Sequence, residues 1–127
     1  MMRYSTRLST VRILKSVSKS LGIYLNIMEA EDGLETINLV YKASSLGTKI
    51  SMIFSDQSMN FMDGIRSSII VKEIVNRKQL PDIPFYLVTA YEGSLFDKIS
   101  DSYVTKIMNK PISRNDVYSI IEKVIAK

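Results

Sequence analysis

The chain has 127 residues, 46% of them hydrophobic, so it can bury one sizeable core and has little room for a second domain. It contains neither cysteine nor histidine, which excludes disulfides, thiolate or imidazole metal ligands, cysteine nucleophiles and Ser-His-Asp catalysis. The net charge of +4 comes from basic residues scattered along the chain. Such a pattern is typical of a solvated surface, and we expect no direct nucleic-acid binding.

No stretch approaches the roughly 18 uninterrupted apolar residues of a membrane-spanning helix. The N-terminus also lacks the apolar run of a secretory signal. We therefore expect a cytoplasmic protein with a single domain over residues 1–127, no membrane contact, and a monomeric or weakly dimeric state.

Short apolar runs alternate along the chain with stretches whose apolar residues recur every three or four positions. The predicted strands are residues 1–5, 23–28, 50–55, 83–88 and 103–108. The predicted helices are residues 11–21, 34–46, 65–75, 94–99 and 117–125. Ser9 is a plausible cap for the first helix, and Gly22 and Gly47 are expected to end the first and second.

Strand and helix in alternation predict parallel strands joined by right-handed crossovers. The expected fold is a flavodoxin-like, doubly wound α/β sandwich in which helices cover both faces of a five-stranded parallel sheet. Residues 1–5 are short for a central strand, so we expect the first strand to be short or degenerate.

Three polar residues are predicted to end parallel strands, where the ligand sites of open α/β sheets lie. Asp56 ends the third predicted strand, Thr89 the fourth and Lys110 the last. A carboxylate, a hydroxyl and an ammonium on one rim suit phosphoryl transfer, because the carboxylate can attack phosphorus while the others stabilise the phosphoryl oxygens. The alternative is that Asp56 is a turn or capping carboxylate and Lys110 is merely solvated.

The segments around these residues resemble the motifs of response regulator receiver domains. Residues 55–64 contain an aspartate at a strand end followed by a Met-Asp-Gly turn, and residues 87–90 and Lys110-Pro111 are similar to the two later motifs. Residues 29–35 resemble the usual turn into the second helix. The resemblance covers almost the whole chain, as a stand-alone domain or as a piece of a hybrid sensor histidine kinase.

The resemblance implies a role for each matching residue. Asp56 would be the phosphoacceptor, Lys110 the contact to the phosphoryl oxygens and Thr89 the switch hydroxyl, while the backbone carbonyl of Ser58 would help Asp56 to hold Mg²⁺. The bond before Pro111 would be cis. The implied function is a phosphorelay receiver that takes a phosphoryl group from a histidine kinase or histidine phosphotransfer protein, with no enzymatic activity beyond its own phosphoryl transfer and hydrolysis.

The sequence departs from this family where receivers carry an acidic pair after the first strand, because Thr6 and Arg7 occupy the matching positions. A threonine is a poor magnesium ligand and an arginine is positively charged, so we expect Mg²⁺ binding to be weak or absent. Glu31 and Asp32 belong to the second loop and are not expected to substitute. Three explanations stay open: a degenerate pseudo-receiver that binds proteins without phosphorylation, a truncated N-terminus, or Arg7 acting in place of the cation.

Overall fold

The computed structural model describes residues 5–30, 32–57, 62–89 and 102–125. The predicted helix at residues 94–99 and residues 1–4 of the predicted first strand lie outside these ranges. The helices are α1 (Ser5–Leu21), α2 (Gly33–Leu46), α3 (Gly64–Arg77) and α4 (Arg114–Ile125). The strands are β1 (Ile53–Asp56), β2 (Phe85–Thr89) and β3 (Lys106–Asn109).

The strands form a parallel sheet in the order β1-β2-β3. Asp56 at the end of β1 pairs with Val88, and Thr89 at the end of β2 pairs with Asn109. The carboxyl ends of the strands therefore lie along one rim, as predicted. Within the described residues the sheet has three strands, so the predicted five-stranded sheet is confirmed only in part.

Side chains of β2 alternate between two cores because successive residues of a strand point to opposite faces of the sheet. On one face the buried core residues, from α1, β2, β3 and α4, are Leu14, Val17, Tyr86, Val88, Met108, Val117, Ile120 and Ile121. The buried core residues on the other face belong to α2, α3 and β2, together with Ile83 just before β2. They are Val40, Ile65, Val71, Val75, Ile83, Phe85 and Leu87. Helices thus cover both faces, which confirms the doubly wound sandwich.

Local capping chemistry sets the ends of α2 and the start of α3. The Asp32 carboxylate accepts a hydrogen bond of 2.9 Å from the Glu35 backbone N–H, and Gly47 ends α2 with a left-handed φ of 72°. The Asp63 carboxylate caps α3 by accepting from the Arg66 N–H at 2.8 Å. A helix N-terminus favours such oxygens because its first N–H groups have no partner within the helix.

The N-terminal predictions were wrong in two respects. α1 begins at Ser5, so Ser5 is helical and Ser9 lies inside the helix instead of capping it. Thr6 and Arg7 consequently lie in the first turn of α1 and not in a loop after a strand. No glycine or proline interrupts this segment, and extending an existing helix is easier than starting one.

Residues 23–30 follow α1 without belonging to the described sheet. Their side chains alternate between partly buried Ile23, Leu25 and Ile27 and the more exposed residues between them. This is the period of a strand, but no described strand pairs with the segment. The predicted second strand is therefore not formed, because a strand is defined by hydrogen bonds to a neighbour.

Candidate functional site

Asp56 and Lys110 form an ion pair at the carboxyl rim of the sheet. The Lys110 Nζ atom lies 3.3 Å from Asp56 Oδ1, and the side chains are 24% and 12% exposed, respectively. Most of the surface of both side chains is thus removed from water, and a small part of each stays exposed. The structure brings these two predicted site residues together.

The ion pair joins the ends of β1 and β3, which lie on either side of the strand that ends at Thr89. β1 and β3 are separated by β2, so their backbones lie about 9–10 Å apart at the usual strand spacing. Only a long side chain such as that of Lys110 can cover this distance. Thr89 is buried, and its carbonyl accepts a hydrogen bond of 2.9 Å from the Lys110 backbone N–H. The three strand ends are therefore held in register by backbone contacts.

The Lys110-Pro111 peptide bond is cis, which confirms the prediction from the motif. Lys110 follows directly after β3, and its side chain turns towards Asp56. The chain then enters α4 at Arg114.

Gly64 packs directly beneath Asp56 at the start of α3. A Cβ atom at this position would lie 2.5 Å from Leu87 Cδ1 and 2.6 Å from the Asp56 carbonyl oxygen. Among the described glycines, positive φ occurs at Gly22 and Gly47 and not at Gly64. Gly64 is required for the close approach of α3 to β1, which an added side chain would prevent.

Gln57 is a positioning residue that the sequence analysis did not single out. Its carbonyl accepts a hydrogen bond of 3.0 Å from the Gly64 N–H, and its Oε1 accepts another of 3.0 Å from the Ile65 N–H. Its own N–H donates to the Val88 carbonyl at 3.2 Å. Gln57 thus connects the end of β1 to the start of α3 and to β2. Its signal in the sequence is weak, namely an amide side chain next to the candidate carboxylate.

The expected weak or absent binding of Mg²⁺ stays a prediction. Among the described residues there is no group of three or more acidic, cysteine or histidine side chains that could hold a metal ion. The Asp32 carboxylate is engaged as the cap of α2. Ser58 lies outside the described residues, and Thr6 and Arg7 belong to α1. No step proposed below involves the metal.

The parallel α/β sandwich, with a carboxylate and an ammonium at its carboxyl rim, is next compared with known proteins. No family model and no curated protein matches the sequence. Solved structures do match, and a two-component response regulator from Legionella pneumophila has a TM-score of 0.70 at 17% identity, covering 95% of this chain and 92% of that one.

Two further structures support the same assignment. The CheX-CheY-BeF3-Mg²⁺ complex from Borrelia burgdorferi has a TM-score of 0.67 at 23% identity, covering 94% of this chain and 84% of that one. The receiver domain of the NarL response regulator from Mycobacterium tuberculosis has a TM-score of 0.67 at 16% identity, covering 95% and 90%. The chain therefore has the fold of response regulator receiver domains, as the motifs predicted.

Proposed function

We propose that this domain is a phosphorelay receiver that accepts a phosphoryl group on Asp56 from a phosphohistidine donor. The observation that carries the proposal is the contact of 3.3 Å between Asp56 and Lys110 at the carboxyl rim of a receiver-like fold. A carboxylate needs a nearby cation to accept a phosphoryl group, because negative charge accumulates on the phosphoryl oxygens.

In the proposed reaction an Asp56 carboxylate oxygen attacks phosphorus, an O–P bond forms and the N–P bond of phosphohistidine breaks. The imidazole leaves and regains a proton, and Asp56 becomes an acyl phosphate. Lys110 would pair with the phosphoryl oxygens, and the Thr89 hydroxyl would reach them from the end of β2. The added charge would then change a surface that a partner protein reads.

The donor under this proposal is a histidine kinase or a histidine phosphotransfer protein, and the output is made through protein contact in the cytoplasm. A protein partner is consistent with the CheX-CheY complex, in which a protein of similar fold is bound to another protein. Among the described residues, no helix has both the length and the hydrophobicity needed to cross a bilayer.

Intact-mass measurement after incubation with a small phosphodonor, with and without Mg²⁺, tests this function. We expect one added phosphoryl group on the unmodified chain and none on Asp56→Asn. Glu122→Gln is the matched control, because Glu122 is exposed near the C-terminal end of α4, at the opposite end of that helix from Lys110. A phosphoryl group retained in Asp56→Asn would refute the assignment.

A degenerate pseudo-receiver that binds proteins without phosphorylation is the second candidate. It is favoured by the sequence, because Thr6 and Arg7 stand where the family carries its acidic pair. In the same experiment, the absence of an adduct under every condition would support this candidate over the first.

A further inference from the structure

A groove lies at the end of the sheet opposite to Asp56. It has a cavity volume of about 170 Å³ and is formed by the C-terminal half of α2, the residues that lead from α2 into β1, and those that lead from α3 into β2. Both connections enter parallel strands at their amino ends, whereas Asp56 and Thr89 end the same strands. A molecule bound in this groove would therefore leave the rim with Asp56 uncovered.

The interior of the groove is mainly apolar. The Thr48 N–H donates to the Ala43 carbonyl at 2.9 Å, and the Leu80 N–H donates to the Val75 carbonyl at 2.9 Å. Neither N–H group is left for a ligand, so the groove offers apolar contact more than backbone hydrogen bonds. The hydrocarbon side chains that line it are those of Val40, Ala43, Ile50, Leu80, Pro81 and Ile83.

The volume of the groove suits one side chain. Pockets for small molecules are usually about 300–1,000 Å³, well above the 170 Å³ of this groove. In protein interfaces, by contrast, a few apolar or aromatic anchors that fill pockets carry much of the binding energy. A recessed groove also differs from a membrane-binding surface, whose apolar side chains are buried in the bilayer.

One wall of the groove follows a strained residue. Gln79 has a φ of 53°, in the left-handed region, which costs a residue with a Cβ atom about 1–2 kcal/mol. Leu80 and Pro81 come directly after it and form that wall. Strained backbone is often found at binding sites, where the surrounding structure holds it in place.

Lysine side chains flank the groove. Lys49 lines it and is exposed. Lys78 is exposed in the connection that forms the other wall, with its Nζ atom 4.5 Å from the centroid of the Tyr41 ring. The Asp82 carboxylate in the same connection accepts a hydrogen bond from the Tyr103 hydroxyl. The two ammonium groups favour negative charge in the occupant and disfavour a second copy of this chain, whose groove and net charge of +4 have the same sign.

We propose that the groove binds an acidic segment of a partner protein, which inserts one apolar side chain and pairs its carboxylates with Lys49 and Lys78. The apolar lining and the volume define the anchor, and the lysines define the charge around it. This binding site goes beyond the phosphoryl chemistry proposed for Asp56 and does not depend on it, because the two sites lie at opposite ends of the strands.

An NMR titration with the capped peptide Glu-Asp-Leu-Asp-Glu tests the proposal. At about 1 mM peptide, a concentration at which weak complexes form, we expect the amide signals of Ala43, Gly47 and Ile83 to shift. The peptides Glu-Asp-Ser-Asp-Glu, which lacks the anchor, and Lys-Arg-Leu-Arg-Lys, which has the opposite charge, are the controls. Neither control peptide should shift these signals.

Two pairs of variants locate the binding site. Ser44→Phe places a large side chain on the wall of the groove, whereas Ser45→Phe changes an exposed residue of α2 that does not line it. We expect Ser44→Phe to weaken binding by about tenfold or more and Ser45→Phe to leave it unchanged. Lys49→Glu should weaken binding by about two- to fivefold, and Lys15→Glu, at an exposed residue of α1, should not. Urea unfolding verifies that each variant is folded.

The absence of shifts at the groove, or equal binding of the basic peptide, would overturn the proposal. So would binding that Ser44→Phe leaves unchanged. Two other results would also contradict it, because they would assign the groove to a different occupant. One is a dimer of this chain, detected by sedimentation, that Ser44→Phe dissociates; the other is binding to vesicles of phosphatidylserine and phosphatidylcholine that Ser44→Phe and Lys49→Glu abolish.

Discussion

At the scale of single residues, the candidate site depends on short contacts behind Asp56 as much as on Asp56 itself. Gly64 allows α3 to approach the Asp56 carbonyl, and Gln57 is hydrogen-bonded to the first residues of that helix. The backbone that carries the carboxylate is therefore bonded to α3 and β2, and its side chain lies 3.3 Å from Lys110.

Gly64→Ala should disturb the site as well as the fold. The added Cβ would meet backbone at 2.6 Å, so either α3 or the end of β1 must move, at a cost of about 1–3 kcal/mol in unfolding free energy. We expect the phosphoryl adduct on Asp56 to form more slowly, as measured by intact mass over time. The loss of unfolding free energy is measured by urea unfolding.

Gly47→Ala is the matched control for this substitution. A Cβ at Gly47 would meet no atom within 4 Å, but its φ of 72° makes an alanine strained, by about 1–2 kcal/mol. The control should lose similar stability without slowing the reaction at Asp56. Equal rates in Gly64→Ala and the unmodified chain would contradict the positioning role of Gly64.

At the scale of elements, Tyr103 connects the chain before β3 to two other elements. Its hydroxyl accepts a hydrogen bond of 2.7 Å from the Ile83 N–H and donates one of 3.2 Å to Asp82. Its backbone N–H donates to the Ser68 hydroxyl on α3 at 3.3 Å. The segment that leads into β3 is thereby bonded to the residues just before β2 and to α3.

Tyr103→Phe should destabilise the domain, because it leaves the N–H of buried Ile83 without its acceptor. The expected loss is about 1–3 kcal/mol, measured by urea unfolding at neutral pH. Tyr24→Phe is the control, because Tyr24 is 88% exposed, and it should change stability by less than about 0.5 kcal/mol. An equal effect of the two substitutions would refute the role of Tyr103.

The same tyrosine predicts a pH dependence. Burial, with a smaller contribution from the nearby Asp82 carboxylate, raises the pKa of Tyr103 above its ordinary value of 10.0. As the pH rises past 10, the unfolded chain ionises first, so the contribution of Tyr103 to stability is complete below pH 10 and is lost as the pH passes the folded pKa. The unmodified chain should therefore lose more stability above pH 10 than Tyr103→Phe; parallel curves would contradict this.

Burial also raises the pKa of Tyr86, but Tyr86 is present in both chains and cancels in that comparison.

At the scale of the whole molecule, β2 belongs to both cores. Leu87 is packed on the face of α2 and α3, while Tyr86 and Val88 are packed on the face of α1 and α4. Because one strand contributes to both clusters, a substitution that destabilises the packing on one face should also destabilise the packing on the other. We expect the domain to unfold as one cooperative unit.

Leu87→Ala tests this cooperativity. Leu87 is 0% exposed, and truncating such a leucine costs about 2–5 kcal/mol. The loss should be the same by far-UV circular dichroism and by tyrosine fluorescence, to which Tyr86 on the opposite face contributes. Leu46→Ala, at a residue that is 71% exposed, should change little. Separate transitions for the two probes would show that the faces unfold independently.

Local patterns in the sequence determined the helices and the site rim. The apolar period of α2, α3 and α4 and the end of α2 at Gly47 follow from interactions between residues close in the chain, and short apolar runs in the sequence mark β1 and β2. Such interactions can be predicted without knowing which distant segment a helix packs against. The Lys110-Pro111 motif and its neighbours were likewise sufficient to predict the receiver-like fold.

Only the tertiary structure decided the features that depend on a neighbour distant in sequence. Residues 23–28 have the period of a strand, yet a strand forms only where another chain segment offers its backbone. Position 64 requires a glycine because a Cβ atom there would collide with Leu87 and with the end of β1. The reach of Lys110 across β2 to Asp56 likewise follows from the order of the strands, which local periodicity does not contain.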